Sequence, residues 1–298
     1  MKIEKLYPEC KDYIWGGEKL KESYGKFTTS SPCAESWELS FHKDGPSRLG
    51  DGRLLMDAVS KDDVGSKAAK FPFFPLLIKF IDAKADLSVQ VHPSDEYALK
   101  NENSFGKTEM WYIVEAEEGA GIYLGFKDDV KKEDLETAIN EKKLTELLNF
   151  FEVKAGDCFF IPSGTIHAIG KGCLICEIQQ NSNLTYRVYD YGRKDKNGNE
   201  RELHVEKAKA VSCLNKFEPT VFPEGILGGC EYFTVKKYII DGEVELCADA
   251  ESFNSVTAIC GEGYINGERI ARGDTFFIPA GYGKYTIKGN LEILFTYV

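Results

Sequence analysis

Four side chains in this sequence could together hold a metal ion. Gln90 and His92 lie in the run Ser88-Val-Gln-Val-His92, Glu109 closes Lys107-Thr-Glu109, and His167 closes Pro162-Ser-Gly-Thr-Ile-His167. Residues i and i+2 of a strand share a face, so Gln90 and His92 can converge on one ion while Glu109 and His167 approach from neighbouring strands. Two imidazole nitrogens, a carboxylate and an amide oxygen at about 2.0–2.2 Å suit Zn²⁺, and Mn²⁺, Fe²⁺ or Co²⁺ accept the same donors. A weakly held water would leave room for a substrate. A single histidine is more often structural than a ligand, and it is the company of the other donors that singles out His92 and His167. His42, before a Lys-Asp-Gly turn, and His204, at the start of a helical run, lack such company and read as solvated or capping side chains.

Strands must present these donors. Residues 76–81 and 87–92 read as successive strands joined at Lys84-Ala85-Asp86, with Ser88, Gln90 and His92 on one face and Leu87, Val89 and Val91 on the other. Pro93 ends the second strand, and Ser94 or Asp95 can cap a short helix to about residue 101. Strand character resumes over 109–114, with Lys107, Glu109 and Trp111 on a common side. From 128 to 151 the spacing of Leu135, Ile139, Leu144, Leu147, Leu148 and Phe151 predicts one or two insert helices. Strands return over 156–162 and 172–180, and a turn at 195–199 precedes a helix expected over 204–214. Earlier, Glu35 to Phe41 reads as a strand that sets Glu35 beside Trp37 and Leu39; a surface acid at a strand end gives the same pattern.

An internal repeat organises the chain. Gly156-Asp-Cys-Phe-Phe-Ile-Pro-Ser-Gly164 returns as Gly273-Asp-Thr-Phe-Phe-Ile-Pro-Ala-Gly281, changed at only two positions. Short strands bounded by Gly-Asp and Pro-x-Gly turns, met twice, predict a mainly β protein of two related jelly-roll units with a few inserted helices. The expected division is a metal-binding unit over 1–217, carrying the helical insert near 128–151, and a second unit over 218–298. In the second copy Lys284 stands where His167 stands in the first, and no histidine follows residue 217. That unit is expected to keep the fold without the metal, as a structural or dimerisation partner.

At 298 residues the chain can bury a large core, and its formal charge of -11 argues against a nucleic-acid binder or a partner for anionic membrane surfaces. An anionic small substrate therefore needs a local cationic pocket. The first residues carry no signal-peptide core, so a cytoplasmic protein is expected, as monomer or homodimer. Nine cysteines, an odd number with a single Cys-x-x-Cys spacing at Cys173 and Cys176 inside an apolar run, suggest neither a disulfide framework nor a thiolate zinc site, and Cys158, Cys173 and Cys176 read as buried thiols.

Taken together, Asp12-Tyr-Ile-Trp-Gly-Gly17, Ala34-Glu-Ser-Trp37, Phe74-Pro-Leu-Leu-Ile-Lys-Phe80, Leu87-Ser-Val-Gln-Val-His-Pro93, Lys107-Thr-Glu-Met110 and Asn181-Ser-Asn-Leu-Thr-Tyr-Arg187 form a pattern. It resembles the type I mannose-6-phosphate isomerases, cupin-fold metal enzymes, in their short bacterial form, from about Trp15 to Arg193. The resemblance implies one zinc per chain on Gln90, His92, Glu109 and His167, an active-site arginine at Arg187, and pocket residues at Ser88, Lys79, Lys107, Glu35 and Glu177. Longer members carry a sizeable helical domain between the third and fourth ligands and a proline before the ligand glutamate; here the insert is short and Thr108 holds that place.

The implied reaction interconverts mannose 6-phosphate and fructose 6-phosphate through a cis-enediol, with a phosphorylated hexose as the partner. Arg187 would grip the phosphate or stabilise the enediolate, or else form a salt bridge to Asp190 or Glu177. Lys107 and Lys79 are cations for phosphate or proton transfer. Glu177, on an apolar strand, is either an acid/base group or a structural acid paired with Arg187. Competing readings are a non-catalytic sugar-binding or regulatory cupin and a metal-dependent cupin dioxygenase.

Overall fold

The structure is a computed structural model that describes residues 1–194 and 198–298, and the expected turn at 195–199 lies largely outside the described residues. The mainly β expectation holds, and the chain divides into two compact units. One comprises Met1–Asp12, Glu18–Phe80 and Val221–Val298; the other comprises Tyr13–Gly17 and Ile81–Thr220. Compactness therefore groups most of the first eighty residues with the C-terminal strands.

In the first unit, Glu4–Leu6, Thr275–Ile278, Asn254–Ile265, Gly283–Tyr297, Thr234–Ala248 and Gly228–Gly229 lie side by side in that order, and Glu268–Ala271 pairs with Asn254–Ile265. Their inner face buries Val256, Ala258, Phe276, Ile278, Ile287 and Ile293 in one cluster. Glu9–Lys11 pairs with Glu35–Leu39, every residue of which is buried. Helix Lys61–Ala69 starts with a capping box between Ser60 and Asp63. Gly65 interrupts it at φ +84°, where a Cβ would come within 2.6 Å of the Glu251 backbone, so glycine is required there.

The second unit carries a five-stranded sheet in the order Tyr186–Tyr189, Val89–Val91, His167–Ile169, Gly121–Phe126 and Leu148–Glu152. Strands Cys173–Gln180, Glu109–Ala116 and Cys158–Ile161 form antiparallel neighbours in another sheet. Val89, Val91 and Ala168 pack with Leu135 and Leu144 of the insert helices and Ala208 of helix Val205–Val211. That apolar cover turns the alternate residues, Gln90 and His167, to the opposite side of the sheet. The insert helices are Lys132–Asn140 and Leu144–Leu147, shorter than the stretch to 151, because Leu148–Glu152 pairs with Gly121–Phe126 as a strand. Asn149 fixes that change, its amide donating to the carbonyls of Leu124, Gly125 and Phe126.

Both copies of the repeat make the same turn. Gly156 and Gly273 have φ of +94° and +88°, and Asp157 and Asp274 each accept the amide N–H three residues earlier, at 2.9 and 3.0 Å. Cys173 and Cys176 are buried as expected, whereas Cys158 is only half-buried on the shorter strand Cys158–Ile161.

Candidate metal centre

Backbone contacts bring the donor-bearing segments together before any side chain is considered. His167 lies opposite Gln90 in the antiparallel pairing of their strands. The Gly164 N–H donates to the His92 carbonyl at 2.7 Å, tying the turn before His167 to the end of the Val89–Val91 strand. Ser94 caps helix Asp95–Asn101 by accepting the Tyr97 N–H, as the sequence suggests. Asp95 Oδ1 accepts from the Gly106 N–H at 2.6 Å and from Gln180 Nε2 at 3.0 Å, while Gln180 Oε1 accepts the Thr108 N–H at 2.7 Å. The loop that carries Lys107 and leads into strand Glu109–Ala116 is thereby braced on both sides.

The donor atoms of His92, Glu109 and His167 lie within 4.8 Å of one another, and all three residues are buried. His92 Nδ1 is 2.8 Å from the Leu184 carbonyl and His167 Nδ1 is 2.8 Å from the Thr165 carbonyl. A carbonyl can only accept, so each ring carries its proton on Nδ1 and turns the Nε2 lone pair inward, the arrangement that metal-bound histidines adopt. Glu109 faces both rings, with Oε2 at 3.6 Å from His92 Nε2 and Oε1 at 3.3 Å from His167 Nε2. Burial, more than any neighbouring charge, pulls His167 down to about 4, so the ring is neutral at pH 7.

Lys107 supplies a cation at the same place. Its Nζ lies 2.8 Å from Glu109 Oε2, 3.2 Å from His92 Nε2 and 3.5 Å from Glu177 Oε1. An ammonium held by a carboxylate and an imidazole lone pair stands where a metal cation would find the same donors, so the donor set fits a divalent ion. Glu177 is also fixed by Trp111 Nε1, which donates to Oε2 at 2.8 Å. The common side expected for Lys107, Glu109 and Trp111 is observed.

The other expected residues fall in distinct settings. Ser88 is buried one residue before the Val89–Val91 strand. In the first unit, Glu35 Oε2 accepts from Trp37 Nε1 at 2.7 Å and lies 3.5 Å from Lys79 Nζ, so Glu35 is a buried, paired acid and not a surface one. Arg187, opposite Gln90 in the edge-strand pairing, donates from Nη1 to the Glu202 carbonyl at 2.9 Å. Asp190 is bridged by Arg193 and Arg201, and Glu177 by Lys107. His42 accepts the Asp44 N–H in its turn.

Gln179 and Gln180 carry no expectation from the sequence, and Asp95 is expected there only as a possible helix cap. The one visible signal for the glutamines is that, with Glu177, they are the polar residues of the mostly apolar run Cys173 to Gln180. Gln179, opposite Glu109 across the strand pair, is fully buried and donates to the carbonyls of Gln180 and Ser182 at 2.7 and 2.6 Å.

The fold and site define a mainly β, cupin-type protein with a buried His–Glu–His cluster able to hold a metal ion. Two family models match, phosphomannose isomerase type I, catalytic domain, over residues 3–143, and mannose-6-phosphate isomerase, cupin domain, over 226–298. Mannose-6-phosphate isomerase ManA of Bacillus subtilis is 38% identical over the full length of both chains. A mannose-6-phosphate isomerase of Streptococcus mutans is 38% identical over 94% of this chain and 93% of its own. The crystal structure of the mannose 6-phosphate isomerase from Bacillus subtilis superposes with a TM-score of 0.89 at 37% identity, covering 100% of each chain. The chain belongs to the type I mannose-6-phosphate isomerase family.

Proposed function

We propose that the chain interconverts mannose 6-phosphate and fructose 6-phosphate as a metal-dependent aldose–ketose isomerase, passing through a cis-enediol. The observation that carries this reading is the convergence of His92, Glu109 and His167, with Lys107 and Glu177 at their edge, in a chain of this family. Gln90 is assigned as the fourth ligand, with one Zn²⁺ per chain. When bound, the divalent ion supplies a Lewis acid for negative charge developing on neighbouring sugar oxygens.

The remaining work falls to the chain's own groups. Isomerisation takes a proton from carbon-2 of the open-chain aldose and returns one to carbon-1. Glu177, its Oε2 held by Trp111 and its Oε1 facing Lys107, is the candidate proton carrier. Arg187 offers fixed positive charge to the phosphate or the enediolate. On the family pattern alone, Ser88, Glu35 and Lys79 are assigned to substrate binding. Residues 1–217 form the catalytic domain and 218–298 a cupin domain without metal ligands, in a cytoplasmic monomer or homodimer.

The test is a coupled assay for fructose 6-phosphate before and after chelation, alongside metal analysis of wild type and His167→Ala. Turnover should vanish on chelation, return with Zn²⁺, and be lost with the metal in the variant. Full activity in metal-free protein would refute the proposal. Sugar binding without turnover would favour a regulatory cupin, and oxygen uptake a dioxygenase.

A further inference from the structure

The segment Arg201 to His204 closes on Arg187 from the open edge of the sheet. Among the described residues, strand Tyr186–Tyr189 is the last of its sheet, with Val89–Val91 as its one strand neighbour. Main-chain groups on the outer side of such a strand need partners other than a strand. His204 provides two. The Arg187 N–H donates to His204 Nδ1 at 3.2 Å, and the His204 N–H donates to the Arg187 carbonyl at 2.7 Å. An imidazole nitrogen therefore takes the place that a carbonyl of a further strand would occupy. In the same segment the Glu202 carbonyl accepts from Arg187 Nη1 at 2.9 Å, and Arg201 grips Asp190 through two bonds of 2.6 Å. Both the backbone and the guanidinium of Arg187 are thus set by this segment.

His204 stands at the N-terminal boundary of helix Val205–Val211, yet its side chain makes no capping bond there. Its acceptor is committed to Arg187 instead. Because Nδ1 accepts, the ring is neutral with its proton on Nε2, and Nε2 lies 3.9 Å from Glu202 Oε2, beyond a hydrogen bond.

We propose that His204 is a positioning residue for Arg187, fixing the edge strand and its guanidinium by accepting the Arg187 N–H at Nδ1. The inference rests on the reading of Arg187 as an active-site cation. Since the bond uses only an acceptor, an asparagine carbonyl can replace it, whereas phenylalanine keeps the ring bulk and offers no acceptor.

The experiment compares kcat and KM for mannose 6-phosphate in the full-length, metal-loaded wild type, His204→Asn, His204→Phe, Arg187→Ala and the double variant Arg187→Ala/His204→Phe. Melting temperature and metal content are measured for each. His204→Phe should lower kcat/KM about tenfold, the rate equivalent of one net hydrogen bond. His204→Asn should stay within about threefold of wild type. In the Arg187→Ala background, His204→Phe should change nothing further, because the group being positioned is gone. Three results overturn the inference: wild-type kinetics in His204→Phe, an equal loss in His204→Asn, or the same fold loss with and without the Arg187 side chain. Wild-type turnover in Arg187→Ala is a separate outcome, refuting the Arg187 reading itself and removing the basis of the inference with it.

Discussion

Replacing Lys107 with methionine tests how the buried charges of the site are balanced. Methionine keeps much of the aliphatic stem and deletes an ammonium that lies 2.8 Å from Glu109 Oε2 and 3.5 Å from Glu177 Oε1. Glu109 is fully buried and Glu177 nearly so, so the metal-free variant would hold two desolvated carboxylates with no cation from Lys107. Breaking a buried pair by removing one partner costs about 3–5 kcal/mol. Proton uptake sets a ceiling: holding a glutamate ionised from its reference value near 4.3 up to pH 7 costs about 3.7 kcal/mol at most, after which the group protonates. Metal-free Lys107→Met should therefore melt on the order of 10 °C below metal-free wild type at pH 7. A carboxyl whose folded pKa is raised destabilises the fold above its unfolded value, so the deficit should shrink as pH falls toward about 4.3. Zinc should act in the opposite sense to the mutation. His92 Nε2 has one lone pair, which can accept from the ammonium at 3.2 Å or coordinate a metal, but not both. Lys107 and the metal thus compete, and added Zn²⁺ should raise the melting temperature more in the variant than in wild type. Thermal unfolding with chelator and with Zn²⁺, at pH 7 and pH 5, checks both statements. Equal melting temperatures in metal-free protein, or weaker zinc protection in the variant, would refute the charge-balance argument.

Two further predictions probe the supports of the site. A Cβ at Gly106 would lie 2.6 Å from backbone atoms of Pro93, Ser94 and Asp95, so Gly106→Ala must displace the loop carrying Lys107 and Glu109; bound metal should fall with turnover by at least about tenfold, and undiminished metal content would contradict this. At Asp190, burial works against the carboxylate, but Arg201 and Arg193 hold it below its ordinary range. Its contribution to stability is present above the unfolded value near 3.8 and is lost as pH falls through the depressed folded value. Asp190→Asn should accordingly lower the melting temperature by a constant amount from neutral pH to about pH 5 and converge with wild type in strong acid. A gap that persists there would show that the loss is not electrostatic.

What could be read from the sequence was what local periodicity and turn chemistry control. The alternation at 87–92 turned Gln90 and His92 away from Val89 and Val91, and those valines do pack under the insert helices. The Ser94 cap and the paired Gly-Asp turns at 156 and 273 came from residues whose local conformational preferences are strong. Leu148 to Phe151 misled because Leu144, Leu148 and Phe151 satisfy a helical period. What decides for a strand is the partner Gly121–Phe126 and the clasp of Asn149, contacts that no window of sequence contains.

The same limit governed the site. Lys107 was legible as a cation, but its place against Glu109 and His92 depends on Gln180 and Asp95 bracing the Gly106–Thr108 loop from distant segments. The sequence neighbours of His204 point to a solvated or capping side chain, whereas its ring accepts from the Arg187 N–H of an edge strand, a contact that local sequence does not contain. Ligand types and spacing were enough to gather the donors. Their orientation comes from carbonyls and amides that hold His92, His167 and the segment before Glu109 from behind. Those supporting contacts, and not the donors alone, turn a cluster of compatible residues into a site in which each lone pair points one way.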